Sequence, residues 1–173
     1  MIRIVDVAHV NLNVTDLSRA LQFYVEMLGF HVSFQYEDAV AWLNFGQYRE
    51  DVAGLGRGFH DLALFKVPFA AAADYRKRAG MNHVAFRLAT PADVDAAAEF
   101  LRERGVKLLK GPLTHKEDND RYLYVEDPDG NVVELVASTL PDWPAAYLRS
   151  GSGRATRAAG PFTPTPDRSP RPR

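Results

Sequence analysis

The sequence lacks cysteine, has no large excess of charge of one sign and contains no long uninterrupted hydrophobic run. Without cysteine, disulfide bonds, thiolate zinc sites, CxxC redox centres and a cysteine nucleophile are excluded. A net charge of −1 over 173 residues argues against a dedicated nucleic-acid-binding protein, which carries a basic excess. No apolar stretch approaches the roughly 20 residues that span a bilayer, so we expect no membrane insertion. The N-terminal MIRIVDVAHV lacks the layout of a secretory signal, which favours a cytoplasmic location.

The length and the 46% hydrophobic content suit one domain, or two small fused modules, with a buried core. The C-terminal end differs, because residues 149–173 contain six arginines and one aspartate and carry +5, which leaves −6 for residues 1–148. Seven of the 11 prolines lie within residues 141–173. Since few large apolar side chains accompany them, we predict a flexible Pro/Arg-rich tail over residues 141–173. An arm that docks on a neighbouring subunit is the alternative.

The N-terminal half has the pattern of a strand, a helix and three strands. Residues 4–14 alternate, with valine and leucine on one side and His9, Asn11 and Asn13 on the other. A helix with apolar residues at i, i+3, i+4 spacing follows; Thr15 or Asp16 caps it and Gly29 ends it. The pattern then predicts strands at residues 31–36, 40–45 and 59–67.

The C-terminal half repeats that order. Residues 82–88 alternate, and Thr90 with Pro91 forms the start of a helix that Gly105 ends. Strands are predicted at residues 106–109, 121–126 and 132–137, and the turn Asp-Pro-Asp-Gly joins the last two.

Both opening strands contain His-Val followed by alternating apolar residues, at His9 and at His83. Because the repeat extends to helix placement and element order, it indicates an internal duplication. We therefore predict an α+β fold in which two βαβββ modules, residues 1–68 and 82–140, pair through a linker at 69–81. Their strands would form a cupped mixed sheet around a metal site, with both histidines on its concave face.

Glu134 lies on the same side of the last strand as Val132 and Val136, where an unpaired buried carboxylate is costly. A cation held by Glu134, His9 and His83 would remove that cost. Two imidazoles and one carboxylate form the facial triad of non-haem Fe(II) or Mn(II) sites, which leaves coordination positions open. Taken singly, each residue is more often a surface histidine or a salt-bridged glutamate.

Three segments, AHVNLNVTDLSRALQFYVEMLGF, NHVAF and YVEDPDGNVVEL, resemble the vicinal oxygen chelate superfamily. This superfamily includes glyoxalase I, type I extradiol dioxygenases, fosfomycin-resistance transferases and bleomycin-binding proteins. The resemblance spans about residues 4–138. It implies paired βαβββ modules and a metal held by His9, His83 and Glu134.

Within the superfamily, the sequence is most similar to small single-domain type I extradiol dioxygenases. Those enzymes carry a histidine 19 residues and a tyrosine 10 residues before the metal glutamate, and His115 and Tyr124 stand there. They also place an acid/base histidine late in the preceding module, where this sequence has His60. The distance from His60 to His83 is longer than usual in that family. Ordinary alternatives are a solvated loop for His115, a sheet-lining aromatic for Tyr124 and a strand start for His60.

The resemblance implies an Fe(II) oxidoreductase, with Mn(II), Ni(II) or Zn(II) as alternative metals, that opens a small aromatic diol with O2. In it His60 would accept a proton from the substrate hydroxyl, Tyr124 would donate a hydrogen bond to a catecholate oxygen, and His115 would assist proton transfer. A homodimer or higher homo-oligomer is expected. The basic residues Arg57, Arg87 and Lys66 are candidates for binding a substrate carboxylate, although solvated surface charge is favoured for them.

Three other functions remain open at this point. Glyoxalase-type isomerases need a fourth protein ligand, usually a glutamate, and the segment HDLALFK has none, although Asp61 or His60 could substitute. A fosfomycin-type thiol transferase would share the metal triad but give no reason for Tyr124 and His115. A bleomycin-type drug-binding protein is the non-enzymatic alternative, and such proteins usually lack the triad.

Overall fold

The structure, a computed structural model, describes residues 2, 7–47, 59–71, 74–77, 79–116 and 118–141. The predicted tail beyond residue 141 and the start of the predicted first strand lie outside the described residues. None of the helices in the described ranges is long and apolar enough to cross a membrane.

In its described residues, the N-terminal module has one helix and four strands. Strand β1 (Val10–Val14) leads into helix α1 (Leu17–Leu21), which continues as a π-helical segment (Gln22–Met27). Strands β2 (His31–Tyr36), β3 (Val40–Asn44) and β4 (Leu62–Lys66) complete the first sheet, whose order is β1-β4-β3-β2. Because β1 and β4 are parallel and the other pairs are antiparallel, this sheet is mixed.

The C-terminal module has the same topology. After a short 3-10 turn (Tyr75–Lys77), strand β5 (Val84–Arg87) leads into helix α2 (Pro91–Glu103). Strands β6 (Leu108–Thr114), β7 (Asp120–Glu126) and β8 (Val132–Ser138) follow, and the second sheet has the order β5-β8-β7-β6. Strands β5 and β8 are parallel. The predicted α+β fold of two βαβββ modules is confirmed.

The strand registers relate the two modules residue by residue. On β8, Glu134 lies opposite Ala85 of β5 and Tyr124 of β7. At the corresponding place in the first sheet, Ala63 lies opposite Asn11 of β1 and Trp42 of β3. Glu134 therefore has an alanine as its counterpart in the N-terminal module.

Both helices begin at residues that the sequence indicates. Thr90 and Asp93 form a capping box at the start of α2, each side chain bonding the other residue's backbone N–H. At α1 the cap is Asp16, which accepts a hydrogen bond from the Arg19 amide at 2.9 Å. Thr15 instead donates its amide N–H to the carboxylate of Asp129, 3.0 Å away in the C-terminal module.

The buried core is continuous between the modules. The ring of Phe86 on β5 packs edge-on against Phe30 at 5.0 Å and lies 6.0 Å from Phe45, measured between centroids. The buried phenol of Tyr24 donates a hydrogen bond to Asp127 at 2.9 Å. Large fully buried side chains of both modules include Leu17, Leu43, Leu62, Leu101, Leu123 and Val133.

Several strand boundaries differ from the sequence prediction. The predicted strand at residues 106–109 is wrong in its end, because β6 extends to Thr114 through Gly111 and Pro112. That Gly-Pro pair suggests a break, but β6 is an edge strand, where a proline costs no hydrogen bond on the open side. The strand predicted at residues 59–67 begins later, at Leu62, so His60 precedes β4. In the same way His9 and His83 immediately precede β1 and β5.

Candidate active site

A cluster of polar side chains surrounds Glu134 on the second sheet. The Nε2 atom of His83 lies 2.9 Å from Oε2 of Glu134, and Nε2 of His115 lies 3.4 Å from Oε1. His83 precedes β5 and His115 follows β6, so residues from opposite edges of the sheet meet at a carboxylate on the strand beside β5. The structure therefore brings together His83, His115 and Glu134 of the predicted site.

Glu134 is 6% exposed although it is charged. Its neighbour across the parallel pair is Ala85, whose short side chain leaves the space that the carboxylate and the imidazole of His83 occupy. A buried carboxylate is costly unless it is paired. The imidazoles of His83 and His115 pair with the carboxylate here. A cation with these nitrogen and oxygen atoms as its ligands would stand between them.

Two tyrosines line this cluster. The ring of Tyr124 packs edge-on against His83 with 5.2 Å between centroids, and Tyr122 stacks on His115 at 3.6 Å. Burial, followed by the negative charge of Glu134, raises the pKa of Tyr124 to about 12. Its phenol therefore keeps its proton at neutral pH and can act as a hydrogen-bond donor.

A second cluster lies on the first sheet. His9 stacks on His60 with 4.5 Å between ring centroids, and His60 stacks on Trp42 at 4.8 Å. Trp42 in turn lies 4.6 Å from Phe34. The four rings form one row across all four strands of the sheet. His9 and His60 are therefore together, but in a different group from Glu134.

The predicted metal ligands are thus divided between two clusters. Among the residues that the structure describes, no three His, Asp or Glu side chains form a group that could hold a metal ion. The donor types of His9, His83 and Glu134 suit a divalent transition metal. One chain brings two of these three donors together, namely His83 and Glu134.

The cavity next to His83 shows how the modules meet. It has a volume of about 310 Å³ and is lined by Asn11 and Asn13 of β1 together with His83 and Asp129. The Nδ2 of Asn131 also donates to the carbonyl oxygen of Asn13 at 3.2 Å. The end of β1 therefore adjoins the start of β5. His9 stands four residues before Asn13, so roughly 13 Å of extended strand separates His9 from the end of β1 that adjoins β5.

The basic residues proposed from the sequence have other partners. Lys66 forms an ion pair with Asp38, and Arg87 lies 3.2 Å from Asp120. Arg57 lies outside the described residues. Sequence reasoning missed Lys110, which lies opposite Tyr124 in the register of β6 and β7. Since the end of β6 was misplaced, the sequence offered no signal that would pair these two residues.

Paired βαβββ modules with histidines at equivalent strand starts and one glutamate on the last strand define a recognisable class of fold and site. A model of the Glyoxalase/Bleomycin resistance protein/Dioxygenase superfamily matches residues 6–135. The chain belongs to this superfamily, which is also called the vicinal oxygen chelate superfamily. The resemblance found in the sequence is therefore confirmed.

Individual relatives carry different activities in their names. A 2-epi-5-epi-valiolone epimerase from an Actinomyces species is 32% identical over 151 residues, 76% of this chain and 79% of that protein. Biphenyl-2,3-diol 1,2-dioxygenase 2 from Rhodococcus globerulus is 29% identical over 143 residues, 82% of this chain and 68% of that protein. The crystal structure of a glyoxalase/dioxygenase from Nostoc punctiforme matches with a TM-score of 0.57 and 24% identity, over 78% of this chain and 92% of the other.

These matches establish the superfamily and the fold. Members of the superfamily are mostly metalloenzymes that bind divalent metals, act on small molecules and are typically oligomeric. Because the reactions differ among the relatives, the particular reaction has to be argued from the site of this chain.

Proposed function

We propose that this protein is a non-haem Fe(II)-dependent extradiol dioxygenase that opens the ring of a catechol beside its diol. The observation that carries the proposal is the cluster around Glu134, in which His83, His115 and Tyr124 all border one buried carboxylate. The name of the Rhodococcus relative, a biphenyl-diol dioxygenase, supports it. Tyr124 lies opposite Glu134 in the register of β7 and β8, and His115 reaches the same carboxylate from the loop after β6.

His9, His83 and Glu134 would hold the metal. Bound Fe(II) would supply the redox chemistry with O2 and lower the pKa of a coordinated phenol. A divalent ion with two neutral imidazoles and one carboxylate has a net charge of +1. The site therefore favours a ligand with a single negative charge, such as a catechol that has lost one proton.

The remaining residues handle protons and exclude water. Tyr124, whose phenol carries its proton at neutral pH, donates a hydrogen bond to a catecholate oxygen. His60 accepts the proton of the substrate hydroxyl, and His115 assists its transfer, since imidazole is suited to proton transfer near neutral pH. The stacked ring of Tyr122 fixes the orientation of His115 and covers one side of the site.

The third metal ligand, His9, and the base, His60, come from a second copy of the chain in this proposal. They form their own group on the first sheet, whereas His83 and Glu134 form another on the second. A homodimer in which the first sheet of one copy faces the second sheet of the other would complete two identical sites.

A metal-dependent isomerase is the second candidate, and the 32% identity to an epimerase favours it. A glyoxalase-type isomerase needs a further carboxylate in the N-terminal module. The position equivalent to Glu134 there is Ala63, and the nearby Asp61 accepts a hydrogen bond from Gln47 at 2.7 Å. This arrangement favours the dioxygenase over a glyoxalase-type reaction.

The test uses anaerobically purified protein loaded with Fe(II), a panel of catechols and then O2. We expect the absorbance of a yellow ring-opened semialdehyde, and we expect Glu134→Gln to lose both bound iron and product. Glu99→Gln, at an exposed site on α2, is the matched control and should keep both. Stoichiometric iron with no turnover of any catechol would contradict the proposal. Formation of lactoylglutathione from methylglyoxal and glutathione, or epimerisation of a substrate, would instead favour the isomerase.

A further inference from the structure

The residue before His83 contacts the ring of that histidine directly. Oδ1 of Asn82 lies 2.8 Å from Nδ1 of His83, and Nε2 on the other side of the ring lies 2.9 Å from Oε2 of Glu134. An amide oxygen can only accept, so the contact with Asn82 is a hydrogen bond when the ring carries its hydrogen on Nδ1. Asn82 therefore favours the form of the imidazole in which Nε2 has a lone pair for a metal.

The side-chain amide of Asn82 has no second task in the described part of the chain. The residue is exposed, and no other hydrogen bond of its side chain to a described residue accompanies the one to His83. Exposed side chains away from caps and buried networks contribute little to the free energy of unfolding. The effect of this amide therefore falls on the imidazole of His83 rather than on the fold.

The two modules differ at this position. His9 and His83 immediately precede equivalent strands, but the residue before His9 is Ala8, whose side chain has no polar atom. The modules also differ at the carboxylate, because the counterpart of Glu134 is Ala63. The asparagine thus accompanies the histidine that lies beside the buried carboxylate.

The contact with Asn82 also fixes the direction of the His83 ring. A metal that takes Nε2 as a ligand replaces the contact of that nitrogen with Glu134, so Asn82 and the edge-on ring of Tyr124 then hold the imidazole. Polar partners of this kind set the ring orientation of metal-binding histidines and raise their basicity. Because the amide is neutral, it does so without changing the net charge of the metal and its ligands.

We propose that Asn82 is a positioning residue for the metal ligand His83. Its amide oxygen accepts the hydrogen of Nδ1 and thereby directs the lone pair of Nε2 at the metal. This inference rests on the part of the proposed function that makes His83 a metal ligand, and it holds whichever substrate is turned over. Asn82 itself binds neither the metal nor the substrate.

Metal affinity tests this role without any substrate. Zn(II), or Fe(II) under anaerobic conditions, is titrated into the metal-free full chain in competition with a chelator. Asn82→Ala should weaken binding of both metals by about 10-fold, because the ring loses the partner that orients it. Asn82→Asp keeps an acceptor oxygen and should bind both metals at least as tightly as the wild type.

Two control variants separate the hydrogen bond from other effects. Met81→Asp places the same charge at a neighbouring position that is 52% exposed, and it should change metal affinity by less than about threefold, since an exposed charge is screened by water. Gln35→Ala removes an exposed amide from β2 and should match the wild type.

The hydrogen on the ring gives a second measurement. Proton–nitrogen correlation spectra of the Zn(II)-loaded protein show which nitrogen of His83 carries the hydrogen and which one binds the metal. We expect hydrogen on Nδ1 and metal on Nε2 in the wild type and in Asn82→Asp. In Asn82→Ala the Nδ1 hydrogen should exchange faster with water, because its acceptor is gone.

The outcomes separate the two proposals. Weaker metal binding by Asn82→Ala that Asn82→Asp restores supports the positioning role, even if no catechol is cleaved. Unchanged affinity in Asn82→Ala, or metal on Nδ1 in the wild type, overturns it, whereas ring cleavage by the iron-loaded wild type would still support the dioxygenase. A gain from Met81→Asp as large as the difference between Asn82→Asp and Asn82→Ala also overturns it, because charge alone would then account for the result. A wild type that binds neither metal overturns both proposals.

Discussion

Tyr24 and Asp127 connect the two modules through a buried hydrogen bond of 2.9 Å. Asp127 accepts several hydrogen bonds, since the backbone N–H groups of Asp129 and Asn131 also donate to its carboxylate. Burial raises the pKa of Asp127, and these hydrogen bonds oppose the rise. Burial and the nearby negative charges of Asp127 and Asp129 raise the pKa of Tyr24 well above its ordinary value.

Removing the phenol oxygen should therefore cost stability in a pH-dependent manner. We expect Tyr24→Phe to lower the free energy of unfolding by about 1–2 kcal/mol at pH 7, because a buried hydrogen bond is lost. In the unfolded chain Tyr24 ionises near pH 10, whereas in the folded chain it stays protonated to higher pH. The difference in the free energy of unfolding between the wild type and Tyr24→Phe thus has its full value below about pH 10 and declines as the pH rises above it.

Urea unfolding of both proteins between pH 7 and pH 11 measures this difference. Tyr36→Phe is the control, since Tyr36 is 57% exposed and its change should stay within about 0.5 kcal/mol. A wild-type advantage that is unchanged between pH 8 and pH 11 would show that the raised pKa of Tyr24 is not coupled to folding.

The side-chain contacts of the site were predictable where local parity decides them. Glu134 lies opposite Ala85, which is two residues after His83, so alternation along β5 and β8 predicts that the side chains of His83 and Glu134 share one face of the second sheet. The contact of His115 with Glu134 depends on a loop after β6, and a family spacing rather than a pattern pointed to it. The grouping of His9 with His60 and Trp42 depends on how β1, β4 and β3 pair within the first sheet, which periodicity does not encode.

At the scale of elements, β6 depends on Gly111. Its φ is +87°, a conformation that side chains other than glycine rarely adopt, and an added Cβ would lie 2.5 Å from the backbone oxygen of Tyr122. That oxygen belongs to the backbone, as does the Cα of Leu123 at 2.9 Å, so neither atom can move cheaply. We therefore expect Gly111→Ala to destabilise the protein by about 2–5 kcal/mol, combining backbone strain and overpacking.

Thermal and urea unfolding of Gly111→Ala check this expectation. Gly80→Ala is the matched control, because an added Cβ there meets nothing within 4 Å. It should change stability by less than about 1 kcal/mol, and in the stabilising direction if its backbone is compatible with alanine. Equal effects of the two substitutions would contradict the close approach of β6 to β7 at this glycine.

Both helices and most strands were predictable from sequence, whereas the course of β6 was not. The spacing of apolar residues and the caps Asp16 and Thr90 identify both helices, and alternation identifies β2, β7 and β8. Strand β6 was misplaced because a Gly-Pro pair normally indicates a turn. On an edge strand its missing N–H faces away from the ladder, so tertiary context overrides the local signal.

At the scale of the whole molecule, the proposed metal site draws on two separate clusters of side chains. One half contains His9 and His60, the other contains His83, His115 and Glu134, and the described residues of one chain do not combine them into a metal-holding group. If a second copy supplies the missing half, a dimer has two sites, each built from both chains. Two inactive variants with damage in different halves would then restore one intact site in a mixed dimer.

Co-expression of His9→Ala with Glu134→Ala tests this arrangement. Each variant alone should bind little iron and have no ring-opening activity, whereas an equal mixture should recover about a quarter of wild-type iron and activity, since half of the dimers are mixed and each has one intact site of two. His83→Ala with Glu134→Ala is the control pair, because both metal ligands lie in the same half and no mixed dimer has an intact site. Iron content gives a readout that does not depend on the substrate. Failure of the first pair to recover iron, in mixtures where mass analysis demonstrates mixed dimers, would show that both halves of each site come from a single chain.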